Sequence, residues 1–243
     1  MIVRSPWFWA PPEAWGESVV TLPPDETRHA VLVLRLTRGD EATVTDGRGR
    51  IARCTLSKLS GEVVEARLEE VEGQARAAPE LAVYQAAAKK NRNDEVVQRL
   101  AELGAAEVWM FPARRSVAVW DEGKAQRLTV RWNSIARAAA KQSHSAWLTT
   151  VGVLTFPELT DKLSKEKLGI VLWEEATTPL REALPAQADR VGLVVGPEGG
   201  LESSEVEALH DARTVSLGSK ILRTELAPVV AASAVLYHFG VIG

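Results

Sequence analysis

Residues 196–200 read Gly-Pro-Glu-Gly-Gly, and residues 217–228 read Leu-Gly-Ser-Lys-Ile-Leu-Arg-Thr-Glu-Leu-Ala-Pro. The first stretch closes an apolar run at 191–195, the pattern of a strand buried on both faces. Gly196, Gly199 and Gly200 let the chain turn sharply and bring peptide N–H groups close to a ligand, and Pro197 stiffens the turn by fixing one dihedral. The second stretch follows a short strand at 214–217 and leads into an alanine-rich helix at 228–239, with Pro228 in its first turn. In open α/β sheets ligands bind outside the carboxyl ends of the strands. Two such loops therefore mark the candidate site.

Taken alone, the 196–200 loop fits a plain strand-to-helix turn as well as it fits a ligand cradle. It is not a Walker loop, since no Gly-Lys-Ser/Thr follows, and it lacks the Gly-x-Gly-x-x-Gly dinucleotide pattern. The second loop is longer than a minimal turn needs. Its Ile221 and Leu222 either wall a pocket for a flat ring or plug the core. Arg223 beside Glu225 serves a ligand or an ordinary ion pair. A third segment, Trp173-Glu174-Glu175, ends the strand at 168–173 and puts acidic side chains at the same sheet edge.

Outward from these loops, strand and helix alternate: strands at 81–87, 107–111, 168–173, 191–195 and 214–217, and helices at 94–103, 124–144 and 228–239. Ser204 and Glu207 suggest a capping box for a further short helix. Such alternation implies a mostly parallel sheet covered on both faces. The first 70 or so residues differ. Short strands at 18–22, 41–45, 51–59 and 62–71, with the hairpin signal Asp46-Gly47-Arg48-Gly49, suggest a small β-barrel. Within it a helix starts near Pro24 with Asp25 as cap and places His29, Leu32 and Leu36 on one face. The polar stretch 72–79 reads as a linker, which divides the chain into residues 1–72 and 73–243.

Composition narrows the function classes. The chain has 243 residues and an ordinary apolar fraction of 46%, enough for a sizeable core. A net charge of −3 supplies no global field for nucleic acid, so local patches must carry any such contact. Cys54 is the single cysteine, which rules out an intrachain disulfide and suits a reducing, cytoplasmic setting. No stretch has the uninterrupted apolar length of a membrane span, and the N-terminus lacks a signal peptide's apolar core. The four histidines do not combine with cysteine at metal-ligand spacing, so no metal is expected. Basic residues gather in the middle of the chain, at Lys89, Lys90, Arg92, Arg114, Arg115 and Arg131, and again in the N-terminal unit at Arg28 and Arg35. They read either as solvated faces or as phosphate contacts.

Together the 196–200 loop, the 217–227 loop, the 93–105 helix (NDEVVQRLAELGA), the 131–143 helix (RWNSIARAAAKQS) and the N-terminal RHAVLVLRLTRGDEATVTDGRGR resemble the RsmE family, the 16S ribosomal RNA (uracil-N3)-methyltransferases of the SPOUT superfamily. The resemblance runs along essentially the whole chain. It implies an α/β fold with a PUA-like RNA-binding β-barrel at 1–72 and a SPOUT domain with a deep trefoil knot at 73–243. It also implies S-adenosylmethionine as cofactor, a homodimer, a cytoplasmic protein with no membrane partner, and methylation of N3 of one uridine in the decoding region of the small subunit RNA. Another RNA atom or position, or a non-catalytic RNA-binding assembly factor, is the alternative. Carried over by position, the cofactor residues are Leu172, Trp173, Glu174, Gly196, Pro197, Glu198, Gly199, Gly200, Leu217, Gly218, Ser219, Ile221, Leu222, Thr224, Leu226 and Ala227. Arg223 is the candidate for stabilising a uracil anion or gripping a phosphate, and Glu198 and Glu225 are candidates for a base or for orienting Arg223. Lys89, Lys90, Arg92, Arg114 and Arg115 resemble RNA-facing segments; Arg28, Arg35 and Arg131 join them as expected RNA contacts. Two departures stand out: Ser219-Lys220 replaces a usual Pro-Arg, and Leu226 replaces a usual threonine.

Overall fold

The computed structural model describes residues 5–60, 62–89, 92–116 and 120–243. They fall into two units, Met1–Arg76 with Ala140–Leu148, and Ala77–Ala139 with Thr149–Gly243. Lys90, one of the expected RNA contacts, lies outside the described residues.

The first unit is a five-stranded sheet of β1 (Trp7–Trp9), β2 (Val19–Thr21), β3 (Glu41–Thr45), β4 (Arg50–Leu59) and β5 (Val64–Gly73), in the order β1-β3-β4-β5-β2. The hairpin joining β3 to β4 is built by Asp46, whose carboxylate accepts the N–H groups of Arg48 (2.6 Å) and Arg50 (3.0 Å). This is the local side-chain-to-backbone bond that makes aspartate a turn former. Phe8, Val20, Val44, Leu56 and Val64 fill the core. Helix α1 (Pro24–Arg28) starts at Pro24, with Asp25 inside its first turn rather than capping it. A π-helical turn follows over His29–Val33. Its extra residue per turn breaks the expected helical face, and Leu32 is exposed instead of lying with Leu36 against the core. Residues 140–148 return to this unit from the end of a long helix, α3 (Glu122–Ser143). Lys141 reaches the buried Glu26 carboxylate at 2.6 Å, and the Thr45 hydroxyl donates to the Ala146 carbonyl at 3.0 Å.

The second unit is a six-stranded, wholly parallel sheet: β6 (Glu80–Ala86), β7 (Glu107–Phe111), β8 (Thr150–Val153), β9 (Leu168–Leu172), β10 (Arg190–Val195) and β11 (Arg213–Val215), ordered β11-β9-β10-β6-β7-β8. Side chains alternate between two cores, as the period of a strand requires. Leu81, Val83, Ile170, Val191 and Leu193 face α2 (Arg92–Glu102), the short α5 (Leu180–Ala183), α7 (Ala227–His238) and Trp132 of α3. Tyr84, Val171 and Val194 face α4 (Phe156–Ser164) and the region of α6 (Ser203–Ala208). Burial on both faces explains why these strands read as continuous apolar runs. α4 carries a full capping box, Thr155 with Glu158. α6 is capped by Glu202 with Glu205 rather than by Ser204 with Glu207. Glu205 wins because its buried carboxylate also accepts the Arg114 N–H at 2.9 Å.

At the amino ends of the strands, Arg190 binds Glu166 (2.6 Å), Glu107 (2.6 Å) and Glu80 (3.2 Å). Burial alone would raise the Glu107 pKa, but hydrogen bonds from Lys162, Arg190 and Trp109 outweigh it and bring the value down to about 2. This network pins the sheet at the edge opposite to the candidate site. No helix among the described residues is long and apolar enough to cross a membrane.

Candidate functional site

Because β10 lies between β6 and β9, and β11 lies beyond β9, the chain brings the carboxyl ends of β9, β10 and β11 side by side. Their loops enclose a cavity of about 500 Å³, within the range of small-molecule pockets. Leu172, Trp173 and Glu174 line it from β9. Gly196, Pro197, Glu198, Gly199 and Gly200 line it from β10. Leu217, Gly218, Ser219, Ile221, Leu222, Thr224 and Ala227 line it from the segment after β11. Leu226 does not line it; the side chain is half exposed where α7 begins. Val195, Val215 and Ser216, which the sequence does not single out, also line the cavity, as does Lys220 of the 217–227 loop. The first three sit at strand ends, where register decides what faces a loop.

The loops are tied to one another by main-chain groups. Trp173 N–H donates to Val215 O at 3.0 Å, and Ser216 exchanges backbone bonds with Thr178 and Leu180 at 2.8 and 3.1 Å. Gly200 takes φ +71° and donates to Pro197 O at 3.0 Å. A Cβ there would lie 2.0 Å from a Glu174 carboxylate oxygen, so only glycine lets Glu174 pack over the turn. The buried Thr224 hydroxyl donates to Gly196 O at 3.4 Å, linking the two principal loops. Arg223 O accepts the N–H groups of Leu226 and Ala227, both at 2.9 Å, and so starts α7.

Charge is arranged around this backbone cradle. Arg92, at the start of α2, donates to Glu198 at 2.7 Å and lies 3.6 Å from Glu225. Its guanidinium therefore joins the two principal loops while its side chain stays 40% exposed. Lys89 N–H also donates to Glu198, at 3.2 Å. Burial pushes the Glu198 pKa up, but hydrogen bonds from its own backbone, from Lys89 N–H and from Arg92 prevail and hold the carboxyl below its usual range. Arg223 is largely exposed, with Glu225 4.0 Å away. Arg115 donates to Gly199 O at 2.9 Å and Arg114 lies 3.4 Å from Glu202, so both lean on the β10 loop. Arg131 pairs with Asp94 at 2.5 Å. Arg28, Arg35 and Lys89 are exposed.

Residues 76–236 match the RNA methyltransferase domain family, and residues 22–69 match the RNA methyltransferase PUA domain family. A Mycobacterium bovis protein named ribosomal RNA small subunit methyltransferase E is 36% identical over 225 residues, covering 90% of this chain and 86% of its own length. The chain belongs to the RsmE family. Two solved structures share its architecture. A Legionella pneumophila protein in complex with the cofactor SAM superposes with a TM-score of 0.88 at 26% identity, over 97% of this chain and 98% of that one. A Neisseria gonorrhoeae ribosomal RNA small subunit methyltransferase E bound to S-adenosyl methionine gives 0.87 at 25% identity, over 96% of this chain and 98% of that one. Of the two departures from the RsmE pattern, Lys220 lines the cavity and keeps a positive charge there, whereas Leu226 lies outside it. A missing hydroxyl at 226 thus removes no group from the cavity wall.

Proposed function

We propose that this chain transfers a methyl group from S-adenosylmethionine to N3 of one uridine in the decoding region of 16S ribosomal RNA. The observation that carries this is the cavity at the ends of β9, β10 and β11, walled by glycine-rich main chain and by Leu172, Leu217 and Leu222. Such a wall suits a flat adenine, whose edge is read by peptide groups and whose faces need apolar contact. Glu174 and Glu198 put negative charge beside a ligand that carries a sulfonium and an ammonium group. The residues present fit the cofactor.

S-adenosylmethionine supplies an electrophilic methyl group. The chain must hold the uridine in line with it and at close range. N3 sits on the Watson–Crick edge, so the target base has to be unpaired or flipped out. Its proton must pass to solvent water before N3 can act as a nucleophile; the N3–methyl bond would then form as the methyl–sulfur bond breaks, with the electron pair staying on sulfur and the neutral thioether departing. Glu198 is ill suited to take that proton, because Arg92 and Lys89 N–H stabilise its charged form. Arg223 is suited to offset the charge of the uracil anion, since its guanidinium is exposed and has only a distant partner. Glu225 orients Arg223, and Arg92 holds Glu198 and Glu225 so that both loops keep their spacing. In this assignment residues 73–243 carry out the transfer and residues 1–72 grip surrounding RNA.

A homodimer is supported by an exposed apolar stripe formed by Leu226, just before α7, and by Val230 and Tyr237 on α7, which recur at helical spacing. The trefoil knot is supported by the β10-to-β11 connection, which passes over β9, and by the loop after β11, which folds back against the β10 loop through Thr224. A cytoplasmic location follows from the ribosomal RNA substrate. Mapping modified nucleosides by mass spectrometry in small-subunit RNA, from cells with and without this protein, tests the assignment. A methylated uridine that disappears with the protein is expected; identical maps would refute it, and loss of a methyl elsewhere would relocate the target.

A further inference from the structure

Two carboxylates line the cavity, Glu174 and Glu198, and they are not equivalent. Glu198 is occupied: the Arg92 guanidinium donates to it at 2.7 Å and Lys89 N–H at 3.2 Å. Its charge is matched inside the protein before any ligand arrives. Glu174 has no hydrogen-bond or cation partner among the described residues, and Lys220 on the same cavity wall forms no ion pair with it. Backbone holds Glu174 in place. Trp173 N–H donates to Val215 O at 3.0 Å, and Trp173 O accepts Ala176 N–H at 3.2 Å, which puts Glu174 in the second position of a β-turn leaving β9. Its carboxylate packs over Gly200, so closely that a Cβ there would lie 2.0 Å from one oxygen. The result is an unmatched negative charge fixed against the β10 loop.

Methyl transfer creates a difference that such a charge can read. The donor carries a sulfonium; once the methyl group has left with the electron pair staying on sulfur, the product is a neutral thioether. Adenosine and the methionyl tail are the same in both. A carboxylate beside the sulfur therefore favours donor over product, whereas one beside the tail ammonium favours both alike. Sulfur sits mid-ligand, between adenosine and tail, and Glu174 leaves β9, the middle strand of the three that build the cavity. We propose that Glu174 is a specificity-determining residue that distinguishes S-adenosylmethionine from S-adenosylhomocysteine by the charge on sulfur, and that Glu198, already paired, does not. This rests on the methyltransferase assignment and adds to it a means of product release: transfer itself removes the charge that Glu174 holds. Because that charge fades towards the transition state, Glu174 strengthens donor binding without accelerating the chemical step.

The test is isothermal titration calorimetry of the full-length protein with S-adenosylmethionine, S-adenosylhomocysteine and sinefungin, an analogue in which a protonated amine replaces the sulfonium. In Glu174→Gln the Kd for S-adenosylmethionine and for sinefungin should rise about fivefold or more. The Kd for S-adenosylhomocysteine should stay within about twofold, which also shows that the same cavity is intact. At saturating S-adenosylmethionine kcat should not fall, whereas a packing defect would lower it. Glu198→Gln should shift all three ligands by the same factor. Wild-type protein should hold sinefungin about fivefold more tightly than S-adenosylhomocysteine, a comparison that stands even where the variant does not fold. An equal rise for all three ligands in Glu174→Gln, a Kd for S-adenosylmethionine within about twofold of wild type, or a wild type that holds sinefungin no more tightly than S-adenosylhomocysteine overturns the role of Glu174. A wild-type protein that binds none of the three overturns the methyltransferase assignment instead.

Discussion

Arg92→Ala gives the sharpest test of how the loops proposed to hold the cofactor are fixed. Arg92 forms one charge-assisted hydrogen bond, 2.7 Å to Glu198, and a looser ion pair, 3.6 Å to Glu225. A hydrogen bond to a charged group contributes about 1.5–3 kcal/mol when sheltered. The Arg92 side chain is 40% exposed and those of Glu198 and Glu225 are 27% and 16% exposed, so solvent screening lowers the figure to about 1–2 kcal/mol. Losing the bridge lets the loops at 196–200 and 217–227 drift apart, and that loss appears in cofactor affinity. The Kd for S-adenosylmethionine should rise roughly 5- to 30-fold by isothermal titration calorimetry. Arg92→Lys should recover part of it, because the ammonium keeps the charge but not the fork that reaches both carboxylates. KM for RNA should change far less than the cofactor Kd. A cofactor Kd within twofold of wild type, accompanied by a higher KM for RNA, would show that Arg92 serves RNA and that the bridge holds nothing in place.

Three other perturbations probe separate parts of the molecule. Arg223→Ala should lower kcat by about 10²–10³, the usual effect of removing one group that stabilises developing charge, with cofactor binding unaltered; unchanged turnover would remove Arg223 from the chemistry. Gly200→Ala meets both the φ of +71° and the Glu174 carboxylate at 2.0 Å, so cofactor affinity should fall by about tenfold or more and stability by roughly 1 kcal/mol, whereas normal binding would mean the turn does not shape the cavity. Glu107 has a folded-state pKa of about 2 against an ordinary 4.5. It therefore contributes about 3 kcal/mol above pH 4.5 that is lost as pH falls from 4.5 towards 2. Glu107→Gln should flatten that acid limb in urea melts at a series of pH values, and an unchanged limb would assign it to other carboxylates.

The parts of this fold legible in the sequence are those fixed by neighbours in the chain. β6, β9 and β10 are apolar runs because both of their faces are covered, and the glycines at 196–200 announce a turn whatever packs against it. β1 is only three residues, Trp7–Trp9, too short to show a period. The return of residues 140–148 to the first unit leaves no mark, since the end of a long helix reads the same wherever it packs. The roles of the arginines are hidden for a related reason. Arg92 and Glu198 are 106 residues apart, and Arg115 and Gly199 are 84 apart. Nothing local distinguishes such cations from those on a solvated face. Strand order makes the difference: β10 pairs with β6 in parallel, with Val195 opposite Gln85, so the chain leaving β6 runs directly beside the chain leaving β10. That register delivers Lys89 N–H and the Arg92 guanidinium to Glu198. A basic segment that reads as a solvated face or as phosphate contacts thereby becomes a brace for the β10 loop, and β10, inserted late between two earlier strands, is the element on which the cavity depends.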